Sequence, residues 1–150
     1  MYLAIARTNC TGYNWDMNSL KEIRWKQRFT NLKRAFALLW EAAEKQQKNR
    51  LEQEGMVQRF EYTFELCWKT LKDYLESQGV LCSFPRDVIK EAVQTNMLDH
   101  GELWLEMLDG RNFLSHTYDE SHFNMVIEKI QEAYVPEIKK LVAILQEKLE

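Results

Sequence analysis

The chain has 150 residues, 45% of them apolar and 29% charged, with a formal net charge of −3 and only 5 glycines and 2 prolines. That size suits one domain with a full hydrophobic core, and no apolar run approaches the roughly 20 residues that a membrane-spanning helix needs. The cysteines, Cys10, Cys67 and Cys82, are odd in number and form no CxxC pair, so a disulfide framework is not expected and a reducing cytoplasm is the expected compartment.

Residues 1–16 lack the basic start and long apolar core of a secretory signal. Thr8, Asn9, Thr11, Gly12 and Asn14 interrupt every pattern there, so this stretch is expected to be a poorly ordered extension of a domain spanning 17–150. Phe29, Leu32, Phe36, Leu39 and Ala43 recur at steps of three and four, which predicts a long helix from about Asn18 to Asn49. Met17–Arg50 carries nine bases against three acids, a net of +6, which leaves −9 beyond Arg50 because residues 1–16 are neutral. Such a basic helix can steer a phosphodiester backbone or pair with acidic groups, and it can equally be a solvated face.

Val57, Phe60, Phe64, Cys67, Trp68, Leu71 and Leu75 mark a second helix, closed by Gly79, and Tyr62 and Leu66 make it apolar over more than one face. Pro85 pre-sets the first turn of a short third helix, with Asp87 at its positive end. Asp99 and Glu102 open a fourth helix through Leu103, Trp104, Met107 and Leu108, which the Asp109-Gly110 pair is expected to break. The last helix carries Phe123, Ile127, Ile130, Tyr134, Leu141 and Leu145, with a kink expected at Pro136. No run alternates as a strand would. The pattern predicts an all-α, antiparallel up-and-down bundle of four to five helices.

The octet Arg111-Asn112-Phe113-Leu114-Ser115-His116-Thr117-Tyr118 concentrates chemistry more than any other stretch. An arginine grips phosphate with two parallel donors, and a histidine moves protons near neutral pH. Thr117 and Glu120 have the spacing of a capping box, which would set His116 at a helix N-terminus where free N–H groups attract anions. On one unbroken helix Arg111 and His116 would lie about 140° apart, at roughly 100° per residue. They converge only if the helix ends between them or if the two groups come from two chains, which favours a site at a dimer interface. The plainer reading pairs Arg111 with a carboxylate such as Asp109 and leaves His116 and Tyr118 to cap and pack.

Arg59-Phe60-Glu61-Tyr62-Thr63-Phe64-Glu65-Leu66-Cys67-Trp68-Lys69-Thr70-Leu71-Lys72, Pro85-Arg86-Asp87-Val88-Ile89-Lys90-Glu91-Ala92, Asp99-His100-Gly101-Glu102-Leu103-Trp104 and Arg111 to Glu120 stand in an order that resembles the HEPN family. The resemblance is narrowest to its nucleotidyltransferase substrate-binding, or HepT-like toxin, branch, and it runs from about Leu20 to Leu149. It implies a homodimeric helical bundle in which the motif R-x4-H-x-Y falls on Arg111, His116 and Tyr118. It also implies a partner, a minimal nucleotidyltransferase that acts as antitoxin by transferring AMP to the tyrosine, here Tyr118. An alternative within the same branch is a non-catalytic subunit that binds a nucleotide or acceptor substrate for that nucleotidyltransferase.

The chemistry stands apart from the resemblance. A neutral His116 can take the proton of a ribose 2′-OH, Arg111 can stabilise the charge developing on the phosphoryl oxygens, and the second subunit's histidine can protonate the leaving 5′ oxygen. The products would be a 2′,3′-cyclic phosphate and a 5′-hydroxyl, from RNA and not from DNA. Asn112 and Ser115 are candidates to bind or orient the substrate, with backbone capping the alternative for Asn112. His100, His116 and His122 show no metal-ligand spacing, and no glycine-rich phosphate cradle is present, so neither metal nor cofactor is expected. Glu61 and Glu65 share a helix face and can pair with Arg111 or with the basic first helix, or locally with Arg59 or Lys69. Trp25, Trp40, Trp68 and Trp104 read as core or interface aromatics.

Overall fold

Two long helices, α1 (Tyr2–Glu44) and α2 (Arg50–Ser77), form the frame, joined by residues 45–49. In the computed structural model the described residues are 2–114 and 119–150 for the backbone, and 17–110 and 119–150 for the side chains. The expectation of a poorly ordered extension at 1–16 concerns side chains outside those residues, although the α1 backbone is helical from Tyr2. α1 ends five residues earlier than expected at its C-terminal end, because Asn49 does not continue it. Instead Asn49 starts α2: its side chain accepts from the Glu52 N–H at 2.8 Å while Glu52 accepts from the Asn49 N–H at 3.2 Å. That reciprocal pair satisfies two otherwise orphaned donors.

α2 ends where Gly79 predicted. Gly79 takes a φ of 88°, the Val80 N–H reaches the Leu75 carbonyl at 2.9 Å and the Gly79 N–H reaches Glu76 at 3.0 Å, the Schellman arrangement. α3 (Pro85–Gln94) has Pro85 in its first turn as expected, and α4 (Gly101–Leu114) follows it closely. A side chain on Gly101 would bring its Cβ to 2.8 Å from Val93 Cγ2, so glycine is what lets these two helices approach.

α5 (Glu120–Lys129) and α6 (Val135–Leu149) are one rod interrupted by a π-helical turn at Ile130–Tyr134. The expected kink at Pro136 takes this form. Proline has no N–H to give the carbonyl four residues back, and the Val135 N–H bonds to Ile130, five back, so the register slips just before the ring. The segments make an all-α bundle, with no strand among the described residues.

The core runs between α1 and α2 and is closed by α3, α4 and α6. Trp25, Phe29 and Leu39 of α1 meet Phe60, Phe64, Cys67 and Leu71 of α2, and all are buried. Phe60 stacks on Tyr134 with ring centroids 5.3 Å apart, and Phe64 stacks on Trp104 at 6.2 Å. Each such pair contributes about 0.5–1.5 kcal/mol beyond the area it buries. Trp25 and Trp104 are therefore core residues, while Trp40 and Trp68 are half-buried beneath Lys139 and Lys69. Burial pushes the Cys67 thiol far above its ordinary pKa, which leaves it inert.

The basic face of α1 is answered from within the chain. Arg28 Nε lies 3.1 Å from the buried Asp73, Lys21 and Arg24 face Glu76 at 4.0 and 3.9 Å, and Lys26 faces Glu22 at 3.4 Å. Lys45 pairs with Glu52 across the linker. Of these pairs, those of Lys21, Arg24 and Arg28 link α1 to α2.

Candidate functional site

Arg111 and Asn112 of the motif fall on α4, and the motif's last residue, Tyr118, directly precedes the cap of α5 in sequence. α4 does not break at Asp109-Gly110, as the sequence suggested; it continues through both to Leu114, the last described residue before 119. Glycine costs a helix interior only about 1 kcal/mol against alanine, which burial of Trp104, Met107 and Leu108 on the same helix outweighs. Arg111 and Asn112 thus sit on helical backbone, with their side chains outside the described residues. Ser115, His116, Thr117 and Tyr118 lie outside the described residues altogether. α5 starts afresh at the Asp119 cap, so α4 and α5 are separate helices and Arg111 lies on the first of them.

The start of α5 corrects the expected cap. Its N-cap is Asp119, whose Oδ1 accepts from the Ser121 N–H at 3.1 Å and from Ser121 Oγ at 3.0 Å. Aspartate caps as well as threonine does, and its charge suits the positive end of the helix. With Asp119 at the cap and Glu120 in the first turn, the chain's own carboxylates already occupy the place proposed for an anion.

Asp109 does not wait for Arg111: its Oδ1 takes the guanidinium of Arg86 from α3 at 2.9 Å. Glu65 is satisfied by Lys69 at 3.4 Å and by Trp68 Nε1, which donates at 3.1 Å. Arg59 instead turns to α1, donating to the Leu38 carbonyl at 2.7 Å with Glu41 3.9 Å away. His100 Nδ1 is 3.0 Å from Glu137 Oε1 in a separate cluster with Lys140. Among the described residues no group of three histidines, cysteines or carboxylates is placed to hold a metal ion, and no helix is long and apolar enough to cross a membrane.

Beside the motif is a cavity of about 340 Å³ between α4, α5 and the π turn, lined by Glu106, Asp109, Gly110, His122, Met125, Val126, Lys129 and Tyr134. Tyr134 Oη donates to Glu106 Oε1 at 3.0 Å, and Lys129 Nζ reaches the same oxygen at 3.0 Å. The Lys129 ammonium, followed by the tyrosine hydroxyl, holds the Glu106 carboxyl below its ordinary range. Burial, then the carboxylate beside it, pushes the Tyr134 phenol well above its own. Sequence reading missed this cavity. Tyr134 reads as one more member of an apolar stripe, and Glu106 and Lys129 as ordinary surface charges. The one available signal was Gly110, a glycine inside an otherwise helical run.

Nearby, Arg50 stacks its guanidinium 3.8 Å above the Phe123 ring and pairs with Glu54 and Glu120, tying the start of α2 to the start of α5. The start of α5, which follows the motif in sequence, is thus tied to α2.

Comparison with known proteins gives the fold and the site a family. A crystal structure from Thermus thermophilus is 31% identical, with a TM-score of 0.70 over 75% of this chain and 96% of that one. A tri-AMPylated Shewanella oneidensis HEPN toxin, solved in complex with its MNT antitoxin, superposes with a TM-score of 0.66 at 14% identity over 82% and 96% of the two chains, a likeness of fold. A probable ribonuclease HepT of Haemophilus influenzae is 29% identical over 84 residues, which are 52% of this chain and 57% of that protein. The chain thus spans little more than half the length of that curated relative. Residues 27–147 match the family described as nucleotidyltransferase substrate binding protein like, and the chain belongs to that family.

Proposed function

We propose that the chain is the toxin of a toxin–antitoxin pair, a metal-independent endoribonuclease that acts as a homodimer. Arg111 stabilises the phosphoryl charge, His116 moves the protons, and Asn112 and Ser115 orient the RNA. A cognate minimal nucleotidyltransferase silences it by adenylylating Tyr118. The observation that carries this reading is that Arg111 lies on the backbone of α4 while a new helix, α5, starts at the Asp119 cap, so the motif spans the junction of two helices. The relatives support it in kind: one is a probable ribonuclease, and another is an AMPylated toxin bound to its antitoxin.

A second reading, a subunit that presents a nucleotide or acceptor to the nucleotidyltransferase without cutting RNA, has its own support. The α1 bases Lys21, Arg24, Lys26 and Arg28 are paired with Glu76, Glu22 and Asp73, which reduces the positive surface open to a nucleic acid. Total RNA incubated in EDTA with wild-type or His116→Ala protein decides between them. Cleavage by the wild type alone, leaving cyclic phosphates, establishes the nuclease. Intact RNA with wild-type protein whose Tyr118 is shown by mass spectrometry to carry no AMP rejects it.

A further inference from the structure

Gly110 has no packing reason to be glycine. It sits inside α4, where alanine would favour the helix by about 1 kcal/mol. Its missing Cβ would meet only Tyr134 Oη, at an ordinary 3.9 Å, among the described residues. Both atoms line the cavity, so the absent side chain widens it and bares helix backbone to whatever enters. Gly110 also directly precedes Arg111, which sets this opening one residue from the cleavage motif.

The lining says what can enter. Glu106 uses Oε1 for both Tyr134 and Lys129, and Asp109 uses Oδ1 for Arg86, while the second oxygen of each has no partner among the described residues. Two carboxylates against one lysine make the interior unwelcoming to phosphate, and Met125 and Val126 supply an apolar wall for a flat ring. The volume lies at the small end of ligand pockets, which run from roughly 300 to 1,000 Å³. Adenine and cytosine offer a carboxylate one amine beside a ring acceptor, and uracil offers one N–H flanked by repelling carbonyls. Only guanine sets two adjacent donors, N1–H and N2–H, on one edge, with O6 beside them for an ammonium.

We propose that this cavity is a base-selecting subsite for guanine, with the free oxygen of Glu106 accepting from the N1–H/N2–H edge and Lys129 donating to O6. The assignment rests on the nuclease reading for its place in an RNA chain, and on the cavity alone for its base preference. Lys129 keeps Glu106 ionised and fixed, and Gly110 leaves room for the ring above Tyr134.

The test is calorimetric titration of the full-length protein with the four 3′-mononucleotides, in wild type, Glu106→Gln and Gly110→Ala, alongside mapping of the ends cut in total RNA. Wild type should bind 3′-GMP about tenfold to a hundredfold tighter than the other three, the discrimination of a base edge matched at two points, by Glu106 and by Lys129. Glu106→Gln should erase that preference. Gly110→Ala should weaken 3′-GMP severalfold without lowering the melting temperature, since alanine strengthens the helix, and a loss there is not unfolding. Equal or undetectable binding of all four nucleotides by wild type, or a guanine preference that survives both substitutions, overturns the subsite. Uncut RNA with the 3′-GMP preference intact rejects the nuclease and keeps the subsite. RNA cut with no guanine at a fixed distance from the break, and no nucleotide preference, keeps the nuclease and rejects the subsite.

Discussion

Tyr134 joins the core to the cavity through a single hydroxyl. Its ring stacks on Phe60 and its Oη donates to Glu106, so the phenol must stay protonated in the fold. The folded pKa is raised above the ordinary value near 10, first by burial and then by the carboxylate. Unfolded chains therefore lose this proton at lower pH than folded ones, and the native state binds more protons above about pH 10. Stability should then fall as pH rises past that point. At pH 7, Tyr134→Phe should cost about 1 kcal/mol, the net worth of one hydrogen bond. Above pH 10 the deficit should shrink or reverse, since phenylalanine has nothing to ionise. Urea denaturation of both proteins at the two pH values measures this, and a deficit independent of pH contradicts it.

The glycines of α4 give a sharper contrast at the same scale. Gly101→Ala drives a Cβ to 2.8 Å from Val93, a β-branched side chain with little freedom to yield, and should destabilise by about 1–3 kcal/mol. Gly110→Ala meets no such wall and should be neutral or stabilising by up to about 1 kcal/mol. Equal effects from the two substitutions in urea unfolding would show that the helix, not its neighbours, decides both sites.

At the scale of elements, the periodic stripes and proline positions were legible because they report on the molecule's largest forces. Burial every three to four residues defines α2 and the closing rod, and Pro85, Gly79 and Pro136 each act where backbone chemistry requires. Helix ends were less legible. Asn49 reads as the tail of α1 although Asn49 and Glu52 have the capping-box spacing; the polar stretch before them carries no periodicity to mark a stop. Thr117 and Asp119 both have cap chemistry, and choosing between them depends on where Ser121 and the first turn of α5 come to rest. The motif was legible as residue types at a spacing, but the cavity was not, since Glu106, Lys129 and Tyr134 come together only once α4 packs against the π turn. Gly79 offers the test of an element boundary: its φ of 88° means that Gly79→Ala should cost about 1–2 kcal/mol in thermal or urea unfolding. No loss would mean that the Leu75 and Glu76 carbonyls, not the glycine, fix the turn.

For the whole molecule, the proposed chemistry needs two proton carriers at one phosphate, a base for the 2′-OH and an acid for the leaving 5′ oxygen. One chain supplies a single His116. His100 is paired with Glu137 elsewhere in the bundle, so the proposed source of the second carrier is the His116 of a second copy of the chain. Light scattering should then give a mass near twice the 18.0 kDa of the chain. Dimerisation alone does not prove a shared site, but mixed dimers do. When wild-type and His116→Ala chains are co-expressed in equal amounts and assort freely, about a quarter of the dimers hold two histidines, as random pairing about a two-fold axis requires. If both histidines serve one scissile phosphate, cleavage per total protein falls to that fraction of the wild-type rate. If each protomer cuts alone, about half the rate remains, because every wild-type chain still works whatever its partner. A measured value near one half would remove the acid–base pairing across the interface and return the whole reaction to one protomer.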